Sequence, residues 1–282
     1  YLPIHAWDHK RIAECDVLFD CRLKHSFSLE NLCKEHAYII TMDVHAQGKF
    51  LLPSIHMEDL ADQDHTLIIP QASFCLLAPM LSLMHQKAMV KQVQLTSLHS
   101  VSELGDSACN DLKQQLHSYE TGQAIESQLF PLEEAQQHLP LLFQALPQTA
   151  KLNAQGFSEE EALLKQQCEK MHNWEGTLSA TCVRIAGLRG LSMSVSFICE
   201  RALNCDTMID HFSMNPSFIC YDDVSHNMYP ICADVIHDHR IYIGRMRQSD
   251  PHIFMAWAVC DDMAIRAAAA AKLAFYLLHN YL

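Results

Sequence analysis

The chain has 282 residues, 49% of them apolar, and a formal net charge of −13. That apolar content is enough to bury a core in one large domain or in two. Basic residues number 20 against 33 acidic ones and form no cluster, so we predict no nucleic-acid partner. No apolar run reaches the roughly 20 residues of a membrane-spanning helix, so we predict no membrane insertion.

The cysteines and histidines are numerous but carry no recognisable spacing. The 12 cysteines contain no CxxC pair, and several lie in apolar runs, where a free thiol behaves as a small hydrophobe. We therefore predict a reduced, cytoplasmic protein without disulfides. His237-Asp238-His239 has no third ligand in register, so we predict a polar turn before a strand at Ile241 and no metal site.

The first part of the chain alternates strand-like and helix-like patterns. Strand, helix and strand follow one another near its start, which is typical of a parallel βαβ unit. Ser102 is predicted to cap a helix that continues to about residue 119. The other elements predicted here are strands at 16–21, 38–42, 66–69 and 93–98 and helices at 28–36 and 74–89.

The second part of the chain is rich in strands. Residues 121–156 are rich in Gln and Pro and look like a long excursion, after which Ser158 and Glu161 form a capping box that opens a helix to about residue 172. A run of strands follows, which predicts a mostly antiparallel or mixed sheet. The predicted strands are 180–185, 192–199, 218–220, 241–246 and 253–259, with helices at 205–212 and, in the Ala-rich tail, at 263–281.

Several segments occur in the order of a known family. They are 96–98 (TSL), 139–143 (LPLLF), 182–192 (CVRIAGLRGLS), Asp222-Asp223 with Tyr229-Pro230, 241–247 (IYIGRMR) and 257–262 (WAVCDD). Together they resemble aspartate-semialdehyde dehydrogenases, and more closely the Usg-type paralogues. The resemblance extends from about residue 10 to the end of the chain.

The resemblance implies an α/β plus α+β fold. A truncated Rossmann-like domain of residues 1–74 is completed by the C-terminal helix in 259–282. Residues 75–258 form an α+β dimerisation domain with a mixed sheet. The implied partner is a second copy of the chain, in a homodimer.

The catalytic positions that the resemblance implies are altered. The family uses a Cys thiolate at the start of a helix and a His acid/base, and these positions are Ala72 and Leu191 here. A Gln expected after the Thr-Ser-Leu strand is His99. We therefore predict no catalytic residues, with Ala72, Leu191 and His99 as degenerate positions.

The family's anion and cofactor sites are also altered. Arg184 matches an Arg that binds the substrate carboxylate, and Lys170 matches a phosphate-binding Lys, so we predict a vestigial anion-binding pair. The family uses NADP, whose pyrophosphate needs a glycine-rich turn. No GxGxxG occurs in this sequence, and Arg266 replaces a small Gly. We predict no cofactor.

Two functions are compatible with this pattern. The main prediction is a catalytically inactive scaffold or adaptor, bound to other protein subunits in a larger bacterial assembly such as a secretion system. The alternative is an enzyme or metabolite sensor with altered chemistry that uses Cys75, His99 and Arg184. An enzyme of that kind requires the Cys75 thiol within hydrogen-bond reach of His99.

Overall fold

The computed structural model describes residues 8–21, 29, 33–34, 36–55, 57–171 and 174–281. The chain divides into two compact units, one of residues 1–71 with 266–282 and one of residues 72–265. The boundaries predicted above (1–74, 75–258 and 259–282) stay a proposal. Most of the helix predicted at 28–36 lies outside the described residues.

The first unit is built on a parallel sheet. Its four strands lie in the order β1-β2-β4-β3, and every neighbouring pair is parallel. All four residues of β2 are buried, as expected for an apolar strand covered on both faces. The elements are α1 His9–Glu14, β1 Val17–Asp20, β2 Tyr38–Thr41, β3 Lys49–Phe50, a 3-10 turn Met57–Asp59, and β4 Thr66–Ile68.

The second unit is built on a mixed sheet. Its seven strands lie in the order β6-β7-β5-β8-β11-β10-β9, and only the β5–β7 and β9–β10 pairs are parallel. The strands are β5 Val90–His99, β6 Ala145–Leu146, β7 Thr177–Ile185, β8 Leu191–Cys199, β9 Phe218–Cys220, β10 Ile241–Asp250 and β11 Ile253–Cys260. A parallel and a mixed sheet in succession confirm the predicted fold class.

Four helices belong to the second unit: α2 Ala72–Ala88, α3 Asp106–Glu120, α4 Glu159–Glu169 and α5 Cys205–Met214. The last helix is α6 Asp262–Asn280. The predicted capping box opens α4, because the Ser158 amide donates to Glu161 Oε2 at 2.8 Å and the Glu161 amide donates to Ser158 Oγ at 3.3 Å. Among the described residues, none of the helices combines the length and apolar character that a membrane span requires.

The predicted helix start at Ser102 is wrong. Residues Val101–Leu104 form a short 3-10 turn instead, and α3 begins at Asp106. Gly105 separates the two with a φ of 86°, which a residue with a side chain rarely adopts and which a continuous helix does not allow. The 3-10 turn carries Glu103 and places it next to the end of β5.

The Gln-rich excursion is packed rather than open. Phe130 and Leu141 within it are completely buried against Val101, Ala108 and Leu112. The excursion also adds the two-residue strand β6 to the edge of the sheet beside β7. No periodic pattern in the sequence predicted that strand, because two residues are too few to show one.

The core of the second unit depends on a cluster of aromatic rings. The Phe212 ring on α5 is completely buried, with its centroid 5.0 Å from that of Phe218 and 6.2 Å from that of Phe254.

We expect Phe212→Ala to lower the free energy of unfolding by about 3–5 kcal/mol, because it leaves a cavity under the sheet. Phe157→Ala, at a ring that is 53% exposed, is the control and should cost less than about 1 kcal/mol. Urea denaturation measures both, and equal losses would contradict this account of the core.

Candidate active site

The register of the mixed sheet brings three of the sequence-predicted site residues into one row. His99 at the end of β5 lies opposite Arg184 of β7 on one side and opposite Leu191 of β8 on the other. Side chains of directly opposite residues on one face of a sheet lie about 5 Å apart. All three side chains are almost completely buried. The row therefore forms one buried centre from residues that are far apart in the sequence.

Both ring nitrogens of His99 have polar neighbours. Its Nε2 lies 2.8 Å from Ser97 Oγ and 3.8 Å from Glu160 Oε1 on α4. Its Nδ1 lies 3.2 Å from Glu103 Oε2, which the 3-10 turn presents to the end of β5. Hydrogen bonds to both nitrogens hold the ring in a single orientation.

Arg184 holds Glu103 in place from the other side. Its Nη1 donates to Glu103 Oε2 at 2.9 Å and to the Ser100 carbonyl at 2.7 Å. Its Nη2 donates to the Thr149 carbonyl at 3.3 Å. A buried guanidinium needs such a carboxylate partner, and Glu103 is consequently shared between Arg184 and His99.

A thiol completes the cluster. Cys182 lies two residues before Arg184 on the same face of β7 and directly opposite Ser97, whose hydroxyl donates to Cys182 Sγ at 3.2 Å. Ligand atoms of His99, Glu160 and Cys182 all lie within 4.8 Å of one another. Cys182 is not among the residues predicted above, although its two-residue spacing from Arg184 on a strand indicated a shared face.

The carboxylates control the protonation of His99. Burial alone lowers its pKa, but the charges of Glu160 and Glu103 outweigh burial and raise the pKa well above the usual range. Burial raises the pKa of Glu103, yet His99 and Arg184 together hold that pKa far below its ordinary value. The cluster therefore favours an ionised Glu103 and an imidazolium at His99.

Burial also acts on the two other titratable groups. It is the largest effect on Glu160, whose pKa is raised. It likewise raises the pKa of the Cys182 thiol, against the hydrogen bond from His99 that lowers it. Cys182 is accordingly a thiol at neutral pH, and Glu160 is a stronger base than an exposed glutamate.

The degenerate nucleophile position lies beside this cluster. Ala72 is the first residue of α2, and the next residue, Ser73, donates its hydroxyl to Glu160 Oε1 at 3.0 Å. Cys75, which the alternative prediction paired with His99, lies near Cys260, whose thiol pKa it helps to raise. The Cys182 thiol lies close to His99, and the pairing of Cys75 with His99 stays a prediction.

The remaining predicted positions lie elsewhere. Lys170 is exposed at the C-terminus of α4, whereas Arg184 is buried, and their role as an anion-binding pair stays a prediction. In the His237-Asp238-His239 segment, Asp238 pairs with Arg240 at 2.6 Å and accepts from the Tyr242 hydroxyl at 3.0 Å. Asp238 thus stabilises a polar turn at the start of β10.

A family model matches most of the second unit. The model described as semialdehyde dehydrogenase, dimerisation domain, matches residues 80–265. The chain therefore belongs to the semialdehyde dehydrogenase family.

Curated relatives agree with this membership, and solved structures share the fold. The chain is 26% identical to the aspartate-semialdehyde dehydrogenase of Helicobacter pylori strain J99 over 82% of this chain and 68% of that one. It is 28% identical to that of Aquifex aeolicus over 78% of this chain and 65% of that one. The structure of aspartate semialdehyde dehydrogenase II from Vibrio cholerae matches with a TM-score of 0.80 at 18% identity, covering 90% and 75% of the two chains. The enzyme from Francisella tularensis matches with a TM-score of 0.77 at 16% identity, covering 97% and 84%.

The prediction of an inactive scaffold in a secretion system or similar assembly is wrong. The curated relatives are named as enzymes, and the structure places His99 and Cys182 close together. The prediction relied on Ala72 and Leu191 and on the altered cofactor positions such as Arg266. It treated His99 only as an alternative and did not pair it with Cys182, which lies beside it.

The first unit does not fit a nicotinamide dinucleotide bound in the usual manner. In parallel α/β sheets such ligands bind beyond the carboxyl ends of the strands. Here the Arg266 guanidinium occupies that edge and donates to the carbonyls of Pro70 at 2.9 Å, Met42 at 2.6 Å and Ile69 at 3.1 Å. These carbonyls follow β2 and β4, so the Arg266 side chain binds the carboxyl ends of both strands. The resemblance implied a small glycine at position 266.

The raised pKa of His99 predicts a pH-dependent stability. The folded protein holds this proton more tightly than the unfolded chain, so the stabilisation is complete below the ordinary histidine pKa of about 6.5. It is lost as the pH rises through the higher pKa of the folded state. We expect the free energy of unfolding to fall above neutral pH, and to fall less steeply in His99→Gln.

Urea denaturation between pH 6 and pH 9, with a chelator present to remove metal ions, measures the two slopes. His226→Gln is the matched control, since His226 also pairs with a carboxylate, that of Asp223 at 2.7 Å, but is largely exposed. Identical slopes in His99→Gln and the wild type would contradict the assignment.

Proposed function

We propose that this protein is an enzyme that acts on a small amino-acid-like carbonyl compound through acid–base chemistry centred on His99. The observation that carries the proposal is a buried imidazole held by Ser97 and Glu103, with Glu160 3.8 Å from its Nε2. A fixed acid next to a base is the arrangement that proton transfer requires. The names of the curated relatives support aspartate semialdehyde as the substrate class.

Two groups match the parts of such a substrate. Arg184 binds the substrate carboxylate. This contact replaces the hydrogen bond from Arg184 Nη2 to the Thr149 carbonyl, which at 3.3 Å is longer than the bonds to Glu103 and Ser100. Glu160 lies beside His99 and contacts the ammonium group or the acidic C–H group of the bound substrate. The side chains of Glu103 and Glu160 are 26% and 12% exposed, so the cluster meets solvent at these carboxylates.

The reaction class that fits these groups is proton transfer next to a carbonyl. The imidazolium of His99 donates its Nε2 proton to the carbonyl oxygen while Glu160 removes a proton from the adjacent carbon, which gives an enol. Reversal of both transfers regenerates the carbonyl compound and both side chains. Glu103 contacts His99 Nδ1 and, with Glu160, keeps the imidazole charged.

The finer family assignment is part of this proposal. We place the chain with the Usg-type paralogues, because Ala72 and Leu191 stand at the family's thiol and imidazole positions. We also propose a homodimer formed through the second unit, which the match to a dimerisation domain supports. A cytoplasmic location is proposed with it, since the 12 cysteines all lie in the described part of the chain and form no disulfide with one another.

Deuterium exchange tests the proposed reaction without a cofactor. The protein is incubated with L-aspartate semialdehyde in deuterium oxide, with a chelator present, and exchange at the carbon beside the carbonyl is followed by NMR. We expect exchange above the protein-free rate, and a decrease of about 100-fold or more in His99→Gln and in Glu160→Gln. His226→Gln, the exposed histidine control, should retain the wild-type rate.

Two results would end the proposal. One is exchange at the protein-free rate with wild-type protein, and the other is exchange that His99→Gln leaves unchanged. If calorimetry showed that the compound binds without exchange, the protein would be a metabolite sensor instead.

A further inference from the structure

We propose that His99, Cys182 and Glu160 form a Zn²⁺ site. Their ligand atoms all lie within 4.8 Å of one another, and His99 Nε2 is 3.8 Å from Glu160 Oε1. Around a tetrahedral zinc ion, with bonds of about 2.0–2.3 Å, ligand atoms lie roughly 3.3–3.8 Å apart. Small side-chain rotations therefore bring all three atoms into the first coordination sphere. The proposal departs from the sequence prediction of no metal site.

The orientation of His99 already suits a metal ion. Its Nδ1 bonds to Glu103 at 3.2 Å, and Arg184 in turn holds Glu103 at 2.9 Å. A carboxylate on one ring nitrogen is the usual outer partner of a zinc-binding histidine, and it leaves the other nitrogen for the metal. Here that other nitrogen, Nε2, is the one that faces Glu160.

The other two ligands are also held in place. The Cys182 amide donates to Glu161 Oε1 at 2.8 Å, and the Ser73 hydroxyl donates to Glu160 Oε1 at 3.0 Å. Ser97 Oγ lies 2.8 Å from Nε2 and 3.2 Å from Cys182 Sγ. The cluster is thus supported by two strands, β5 and β7, and two helices, α2 and α4, rather than by one loop.

The donor set favours zinc over the hard cations. Sulfur and imidazole nitrogen bind Zn²⁺ strongly, whereas Mg²⁺ and Ca²⁺ take oxygen ligands. The thiolate and the carboxylate together carry two negative charges, which balance the charge of the ion. The sequence shows no zinc motif because β5, α4 and β7 each contribute a single ligand.

Metal binding has a consequence for the proposed enzyme. Zinc on Nε2 replaces the proton that His99 is proposed to donate, so the zinc-bound protein should not catalyse exchange. This consequence rests on the proposed function. The binding itself does not, since it is measured without substrate.

Cobalt spectroscopy is the direct test of the site. Tag-free protein is freed of metal and titrated with Co²⁺, which gives a thiolate-to-metal charge-transfer band only when sulfur is bound, and Zn²⁺ is then added to displace it. We expect one Co²⁺ per chain with that band, and its loss on adding zinc. A wild-type protein that shows no such band would overturn the proposal, whatever the variants do.

Two matched cysteine variants assign the ligand. Cys182→Ala should lose the band and bind Zn²⁺ at least about 100-fold more weakly in a chelator competition. Cys199→Ala, at another buried strand cysteine, should keep both the band and the affinity. Glu160→Gln, which keeps the thiol, should weaken binding but retain the band. Equal zinc affinity in Cys182→Ala and the wild type would refute the assignment.

Discussion

The centre of the second unit depends on a single carboxylate. Glu103 accepts from Arg184 and from His99, and both of these side chains are almost completely buried. Burying a guanidinium and an imidazolium without a partner costs several kcal/mol each. The 3-10 turn that carries Glu103 is therefore essential to the cluster, and Gly105 ends that turn and allows α3 to start in a new direction.

The altered residues of the family segment are neighbours in space. The resemblance implied an imidazole at Leu191, and the structure has one at His99, directly opposite on the adjacent strand. Adjacent strands lie about 4.8 Å apart, so an imidazole lies one strand away from the position that the resemblance implied. A thiol, that of Cys182, lies beside this imidazole. The fold thus brings a histidine, a cysteine and a glutamate together although the implied positions Ala72 and Leu191 are altered.

Much of the fold was predictable, because alternation of apolar residues reports directly on a strand with one covered face. Such patterns identified β5, β7, β8, β10 and β11, and the capping box at Ser158 identified the start of α4. The two-residue strand β6 and the packed excursion were not predictable, since neither has a periodic signal. The prediction also started α3 too early, at Ser102, because it took no account of the break at Gly105.

The site was only partly predictable. The sequence singled out His99, Arg184 and Leu191, but it gave no means of knowing that they share a row, which depends on the pairing of strands far apart in the chain. Glu103, Glu160 and Cys182 were missed for the same reason. The functional prediction failed because it inferred inactivity from replaced positions, whereas Glu160 and Cys182 lie beside His99 only in the folded protein.

The charge on His99 is the central claim, and NMR of protein labelled with ¹⁵N-histidine measures it most directly. With metal removed, the His99 signals, assigned by their absence from His99→Gln, should show both ring nitrogens protonated at pH 7.5. A neutral ring at that pH would mean that Glu103 and Glu160 do not hold an imidazolium, and it would contradict the account.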